Sequence, residues 1–256
     1  MEITAYYALQ TSGAGSTIAT NEREEMYKYI LWDIDGTVLD FHKAEHLAIN
    51  ALFEKYKIGA CTDEMLSLYK EINIKYWQRL ERNELTKPEI LVGRFRDFFD
   101  KIGVDSKIAK DFNDDYQLAL GDYIVYVDMA EEILLSQKGK YVLCAVTNGT
   151  KIAQEKKLRL SGLDKVFDEI FISECIGIEK PNQGFFDFVF EKLQITDKKE
   201  VIIIGDSLTS DMKGGFLYGI DTCWFNPSHQ KNNLPIEITY EIDSLNQLYE
   251  ILDINL

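Results

Sequence analysis

Three times along the chain a short, unbroken apolar run ends abruptly in small polar and acidic residues. Tyr29–Trp32 precedes "DIDGT", Tyr141–Val146 precedes "TNGT", and Val201–Ile204 precedes "GDSLTSD". Continuous runs of this length, rich in β-branched residues, predict strands buried on both faces, as in a parallel sheet. "FDEIFISE" and "DTCWFN" predict two more strands. After the second and third runs the period becomes helical, in "KIAQEKKLRLSG", closing on Gly162, and in "TSDMKGGFLYG", closing on Gly219. "FFDFVFEKL" has helical spacing, and "SLNQLYEIL" predicts a terminal helix N-capped by Ser244. Strands alternating with helices predict an α/β fold with a Rossmann-like parallel sheet.

The segment between the first and second runs does not alternate. "HKAEHLAINALFEKY", "DEMLSLYKEINIKYWQRLERN", "KPEILVGRFRDFFDKIG" and "IAKDFNDDYQLALGD" all have helical periodicity, with breaks near Gly59, Thr86–Pro88 and Gly103. They predict an all-helical cap, residues 41–126, inserted into an α/β core formed by residues 26–40 and 127–256. The crossings near Asp40–Lys43 and Gly121–Asp128 are its expected hinges. Residues 1–25, with "TSGAGSTIAT" and "NEREE", have no such pattern and are expected to form a flexible extension.

The chain has 256 residues, is 46% hydrophobic and carries a formal net charge of −15. That is enough apolar material for a large core. The charge argues against general affinity for nucleic acid or an anionic membrane, so a small phosphate ester would need a local site and a cation. No apolar stretch is long enough to span a bilayer, and the first residues lack a signal-peptide pattern. Cys61, Cys144, Cys175 and Cys223 have no CxxC spacing and are expected to be buried free thiols in a reducing cytosol. A monomer or homodimer in the cytoplasm is expected.

In an open α/β sheet, ligands bind at the carboxyl ends of the strands. Asp33, Asp35, Thr147, Asn148, Asp206 and Asp211 all follow such ends and should converge despite their distance in sequence. Converging carboxylates repel unless a cation lies among them. An all-oxygen set suits Mg²⁺, and the lack of His and Cys makes zinc a poor fit. An EF-hand is excluded, because its sixth and twelfth loop positions would be Val38 and Ala44. One carboxylate can attack phosphorus to give an aspartyl-phosphate, and a neighbour can protonate the leaving alkoxide and then activate water. The i, i+2 spacing of Asp33 and Asp35 directs both toward one pocket. The turn at Gly36 is expected to offer backbone N–H groups, and Thr147 and Lys180 of "IEKPNQGFF" to complete an anion cradle. Each piece alone is ordinary: a DxD in an acidic chain is commonly a solvated loop, and a single lysine a surface residue. Their order, each after a predicted strand, is what carries the reading.

That order resembles the haloacid dehalogenase (HAD) superfamily of phosphatases, whose four motifs match "DIDGT", "TNG", the lysine of "EKP" and "GDSLTSD". The resemblance implies that Asp33 is the nucleophile and Asp35 the general acid/base. It implies that Thr147, Asn148 and Lys180 bind phosphate, and that Asp33, the Asp35 backbone carbonyl, Asp206 and Asp211 form the Mg²⁺ site. Superfamily members that remove halogen lack the second aspartate, so Asp35 favours phosphate transfer. "YKEINIKYWQRLERNELTKPEILVGRFRDFF", "FISECIGIEKP" and "IGDSLTSDMKGGFLYGIDTCWFNP" are similar to the bacterial 5′-nucleotidases acting on pyrimidine monophosphates. The resemblance thus implies a Mg²⁺-dependent 5′-nucleotidase for nucleoside monophosphates. Phosphoglycolate, a sugar phosphate, a phosphomutase reaction and a non-catalytic binding protein stay open as alternatives. In the cap, Tyr76, Trp77, Phe95 and Phe98 are candidates to stack on a base, with helix-packing core the expected role for most of them.

Overall fold

The computed structural model describes residues 27–252. Its centre is a six-stranded, all-parallel sheet: β1 (Tyr29–Trp32), β2 (Val142–Thr147), β3 (Glu169–Ile172), β4 (Val201–Gly205), β5 (Asp221–Phe225) and β6 (Tyr240–Ile242). The spatial order is β3-β2-β1-β4-β5-β6. The chain builds outward on one side of β1, then returns and builds outward on the other. The order therefore reverses between β1 and β4, the place where open α/β sheets form a ligand crevice.

Strand periodicity divides the apolar runs between two layers. Ile30, Trp32, Leu143, Ala145, Ile202 and Ile204 point to one core cluster, covered by Ile133 and Leu134 of α5 (Ala130–Gln137) and Leu158 of α6 (Lys151–Ser161). Leu31, Cys144, Val146, Val201 and Ile203 point to the other, covered by Phe185, Phe186, Val189 and Phe190 of α8 (Gln183–Leu193) and Tyr218 of α9 (Lys213–Tyr218). A four-residue helix, α7 (Ser173–Ile176), follows β3, and α10 (Leu248–Ile251) follows a 3₁₀ turn whose capping box begins at Ser244. Helix α5 and strand β6 do not stand out in the sequence: the first is only eight residues and the second three. The stretch after β4 opens as a π-helix, Leu208–Met212, before becoming α-helical.

Between β1 and α5 lie α1 (Phe41–Lys55), α2 (Asp63–Glu81), α3 (Lys87–Ile102) and α4 (Ala109–Leu120). Their ends follow from local chemistry. Asp40 accepts from the Lys43 N–H at 3.0 Å and Thr62 from the Met65 N–H at 3.3 Å. Glu89 accepts from the Thr86 N–H at 2.8 Å to close a capping box on α3. These helices bury their own aromatic cluster, including Phe53, Tyr69, Phe95, Phe98, Phe99, Phe112 and Tyr116. Phe95 and Phe98 are fully buried there, the first with its ring 5.0 Å from Tyr69, so neither can meet a ligand. The chain leaves and re-enters the sheet layer side by side, with Asp40 N–H donating to the Val125 carbonyl at 2.8 Å and Val127 N–H to that of Val38 at 3.0 Å.

All four cysteines are free. Cys144 and Cys223 are buried as expected, whereas Cys61 is half-buried and Cys175 exposed, because the latter sits on the short α7 at the surface. Among the described residues no helix is long and apolar enough to cross a membrane. The expected extension, residues 1–25, lies outside the described residues.

Candidate active site

The sheet register brings the polar strand ends level. Trp32 is aligned with Ala145 of β2 and Ile204 of β4, and the Asp33 N–H donates to the Ile204 carbonyl at 2.9 Å. Asp33, Thr147 and Asp206 are thereby carried to neighbouring positions at the switch point. Carboxylate oxygens of Asp33, Asp206 and Asp211 lie within 4.8 Å of one another. Two glycines permit this crowding. Gly36 has φ +97°, and a Cβ there would come within 2.5 Å of Asp206 Oδ2; a Cβ at Gly205 would come within 2.4 Å of Asp211 Oδ2. The Gly36 N–H itself donates to the Leu39 carbonyl at 2.8 Å, so what this glycine contributes is close approach.

Lys180, wholly buried, is the counter-charge. Its ammonium donates to Asp33 Oδ1 at 2.9 Å, to Asp211 Oδ1 at 2.6 Å and to the Val146 carbonyl at 2.6 Å, which uses all three N–H bonds. Burial alone would lower its pKa, but Asp211 and Asp33 outweigh burial and raise it. The acids remain in excess. Burial raises Asp33, with Lys180 opposing and Asp211 adding, and burial together with the charges of Asp33 and Asp211 raises Asp206. Three carboxylates around one ammonium, with no His or Cys among them, fit a hard divalent cation with oxygen preference. The Asp35 side chain is outside this cluster, so only its backbone carbonyl, as the resemblance implied, remains for a metal.

Asp35 is held from α6: Gln154 Nε2 donates to Oδ2 at 2.5 Å and the buried Lys157 ammonium to Oδ1. Thr37 donates to Asp33 Oδ2 at 3.3 Å and lies 3.5 Å from Asp206 Oδ1. The Thr147 hydroxyl accepts from the Gly149 N–H at 3.1 Å. The Asn148 side chain is locked to the backbone of Lys180, donating to its carbonyl at 2.8 Å and accepting from its N–H at 2.9 Å. It therefore fixes the lysine relative to β2. Gln154 and Lys157 are not legible as site residues in the sequence, where Lys157 reads as one more charge on a solvated helix; Thr37 is part of "DIDGT" but has no role assigned there.

The cluster forms the floor of a cavity of ≈480 Å³ whose opposite wall is helical. Asp33, Asp35, Thr147, Asn148, Asp206 and Asp211 all line it, as do Phe41, Glu45, Asn73, Ile74, Trp77 and Glu81. Of the four aromatic residues named from the sequence, Trp77 alone borders this space. Tyr76 instead packs on Gly93 and donates to Asp97 at 2.9 Å. Glu81 ends α2 directly above the floor; burial pushes its carboxyl up to about 7, against a hydrogen bond from Thr209. Lys87, at the start of α3, donates to the Asn148 carbonyl at 3.0 Å and to Ser173 at 2.8 Å, and pairs with Glu179 at 3.2 Å. It ties the helical wall to the loop after β2.

Residues 30–225 match the family model of haloacid dehalogenase-like hydrolases. Pyrimidine 5′-nucleotidase PynA of Streptococcus pneumoniae is 34% identical over 90% of this chain and 97% of its own length. Pyrimidine 5′-nucleotidase YjjG of Escherichia coli is 27% identical over 88% of this chain and 98% of its own. Among solved structures, the HAD-hydrolase YfnB of Bacillus subtilis bound to magnesium superposes with a TM-score of 0.83 at 39% identity, covering 89% of this chain and 99% of that one.

Proposed function

The chain belongs to the haloacid dehalogenase-like hydrolases, and from that premise we propose that it is a magnesium-dependent phosphomonoesterase, a 5′-nucleotidase preferring pyrimidine nucleoside monophosphates. The observation that carries the reading is the set Asp33, Asp206 and Asp211 gathered within 4.8 Å around Lys180, under a cavity with an aromatic wall. The side chains of Asp33, Asp206 and Asp211 and the carbonyl of Asp35 would hold Mg²⁺. When bound, the metal supplies charge balance for these acids and for the incoming phosphate.

An oxygen of Asp33 attacks phosphorus, and the bond from phosphorus to the ester oxygen breaks. Asp35 protonates the departing 5′-oxygen of the nucleoside. Asp35 then takes a proton from water, which attacks phosphorus, so inorganic phosphate leaves and the Asp33 carboxylate returns. The Thr147 hydroxyl donates to a phosphoryl oxygen. Lys180 binds electrostatically: by neutralising Asp33 and Asp211 it lets a phosphate dianion approach. Asn148 keeps Lys180 in place. The pyrimidine preference rests on the likeness to PynA and YjjG and on a cavity whose apolar wall, Ile74 and Trp77, suits one flat ring.

Phosphate release from a panel tests the reading. UMP, dUMP and dTMP should exceed AMP, GMP, phosphoglycolate and hexose phosphates in kcat/KM by about ten- to a hundredfold, the discrimination that fit of a ring in a pocket provides. A panel in which phosphoglycolate or a hexose phosphate leads by tenfold would reject the nucleotidase reading and leave the phosphatase assignment standing.

A further inference from the structure

Helix α2 lines the cavity with one stripe: Glu81, then Trp77 and Gln78, then Asn73 and Ile74, then Lys70. Glu81 is at the level of the carboxylate floor. At 1.5 Å per residue, Trp77 stands about 6 Å and Asn73 about 12 Å further out along the helix. For a nucleoside monophosphate with its phosphate on Asp33, that sequence of levels is phosphate, sugar and base. Ile74 is 55% exposed, an apolar side chain on the cavity wall without a partner to cover it.

At the outer level two buried polar side chains meet. Glu45 of α1 is 1% exposed and Asn73 is 6% exposed. Arg94 of α3, 1% exposed, donates through Nη1 to Asn73 Oδ1 at 2.7 Å. A guanidinium can only donate, so the amide orientation is fixed: oxygen toward Arg94, NH₂ toward Glu45. Asn73 Nδ2 lies 3.4 Å from Glu45 Oε1, which also accepts from the Tyr116 hydroxyl at 3.3 Å. Glu45 Oε2 has no hydrogen bond among the described residues, and its one ionic neighbour there is the exposed His42 imidazole at 3.9 Å. Arg94 reaches Glu45 only through Asn73, with no direct ion pair, so the open oxygen of this buried carboxylate is a place for a further donor. Arg94 is itself anchored to Asn113 at 3.4 Å and, through Asn113, Gln117 and Thr150, to the loop after β2.

We propose that Glu45 and Asn73 read the base edge of the substrate, Glu45 Oε2 accepting the ring N3–H of uracil or thymine and the second Asn73 N–H donating to an adjacent ring carbonyl, with Trp77 against the ring or sugar face. The proposal rests on the nucleotidase reading and gives it a molecular basis. The wall presents an acceptor beside a donor. An imide edge presents the complementary donor beside an acceptor. A sugar phosphate presents no such edge.

The test compares wild-type kcat/KM for UMP, 5-methyluridine monophosphate, 3-methyluridine monophosphate and ribose 5-phosphate. Losing a hydrogen bond to a buried carboxylate should slow the 3-methyl compound about ten- to a hundredfold relative to UMP, while the 5-methyl compound, whose N3–H is intact, stays close to UMP. Glu45→Gln should lower kcat/KM for UMP and collapse the gap between UMP and its 3-methyl analogue; loss of a merely structural role would slow both equally and leave the gap. UMP well above ribose 5-phosphate, with the 3-methyl compound equal to UMP, overturns this inference alone. UMP no better than ribose 5-phosphate overturns the nucleotidase reading and this inference with it.

Discussion

Lys180 Nζ lies 2.9 Å from Asp33 Oδ1, and both residues are buried. A charge pair withdrawn from water is stable only while each partner keeps the other, since removing one leaves an uncompensated buried ion. Lys180→Met should therefore abolish phosphatase activity and also destabilise the fold by about 3–5 kcal/mol, read as a lower midpoint in urea unfolding. Wild-type stability in this variant would show that the lysine is not the counter-ion of Asp33 and Asp211.

Asp35 lies outside the three-carboxylate cluster, and both its oxygens accept from α6, from Gln154 and Lys157, so as the acid it must release one of these partners to present its proton to the leaving oxygen. Asp35→Asn should slow nucleoside monophosphate hydrolysis by about a hundred- to ten-thousandfold. p-Nitrophenyl phosphate, whose leaving group departs without a proton, should lose far less. Equal losses for the two substrates would remove Asp35 as the acid.

Gly36 has both a left-handed backbone and a carboxylate 2.5 Å from where its Cβ would be. Gly36→Ala should cost about 1–3 kcal/mol of stability and displace Asp206, raising the Mg²⁺ concentration needed for half-maximal activity. A variant with unchanged metal requirement would contradict the close-approach role.

The site gives stability a definite pH dependence. Burial raises the folded-state pKa of Asp33 and of Asp206 above the ordinary carboxylate value of about 3.9. As pH rises above that value, the unfolded chain releases protons that the folded protein still holds, so metal-stripped protein loses stability toward neutral pH. Mg²⁺ binds the charged carboxylates and reverses this, so the Tm difference between Mg²⁺ and EDTA should widen from mildly acidic to neutral pH. A difference that shrinks as pH rises would contradict the acid-rich site.

The sequence makes β1 to β5 and the inserted helices legible because buried parallel strands are unbroken apolar runs and the inserted helices keep a clean helical period, whereas α5 and β6 are too short to show either pattern. It makes Asp33, Asp206 and Asp211 legible because polar groups after such runs must meet at one sheet edge. Other features depend on contacts between distant segments. Phe95 and Trp77 look alike as aromatic helix residues, and only the packing of α2 against α3 separates core from cavity wall. Lys180 reads as a potential phosphate ligand, and only the fold shows all three of its N–H bonds already used. Asn148 likewise follows a strand end as expected, and only the fold shows its side-chain oxygen and one amide N–H engaged by the Lys180 backbone. Lys157 and Gln154 are unremarkable polar positions until α6 is laid against the first loop.

The most direct test of the central claim is acid-quenched turnover of UMP followed by peptide mass analysis. Enzyme quenched in mid-turnover should carry one phosphoryl group on the peptide containing Asp33. In Asp33→Asn that species should vanish, with phosphate release below about a thousandth of wild type. A folded Asp33→Asn protein that still releases phosphate above that level, or a phosphoryl group found on another residue, would contradict the account.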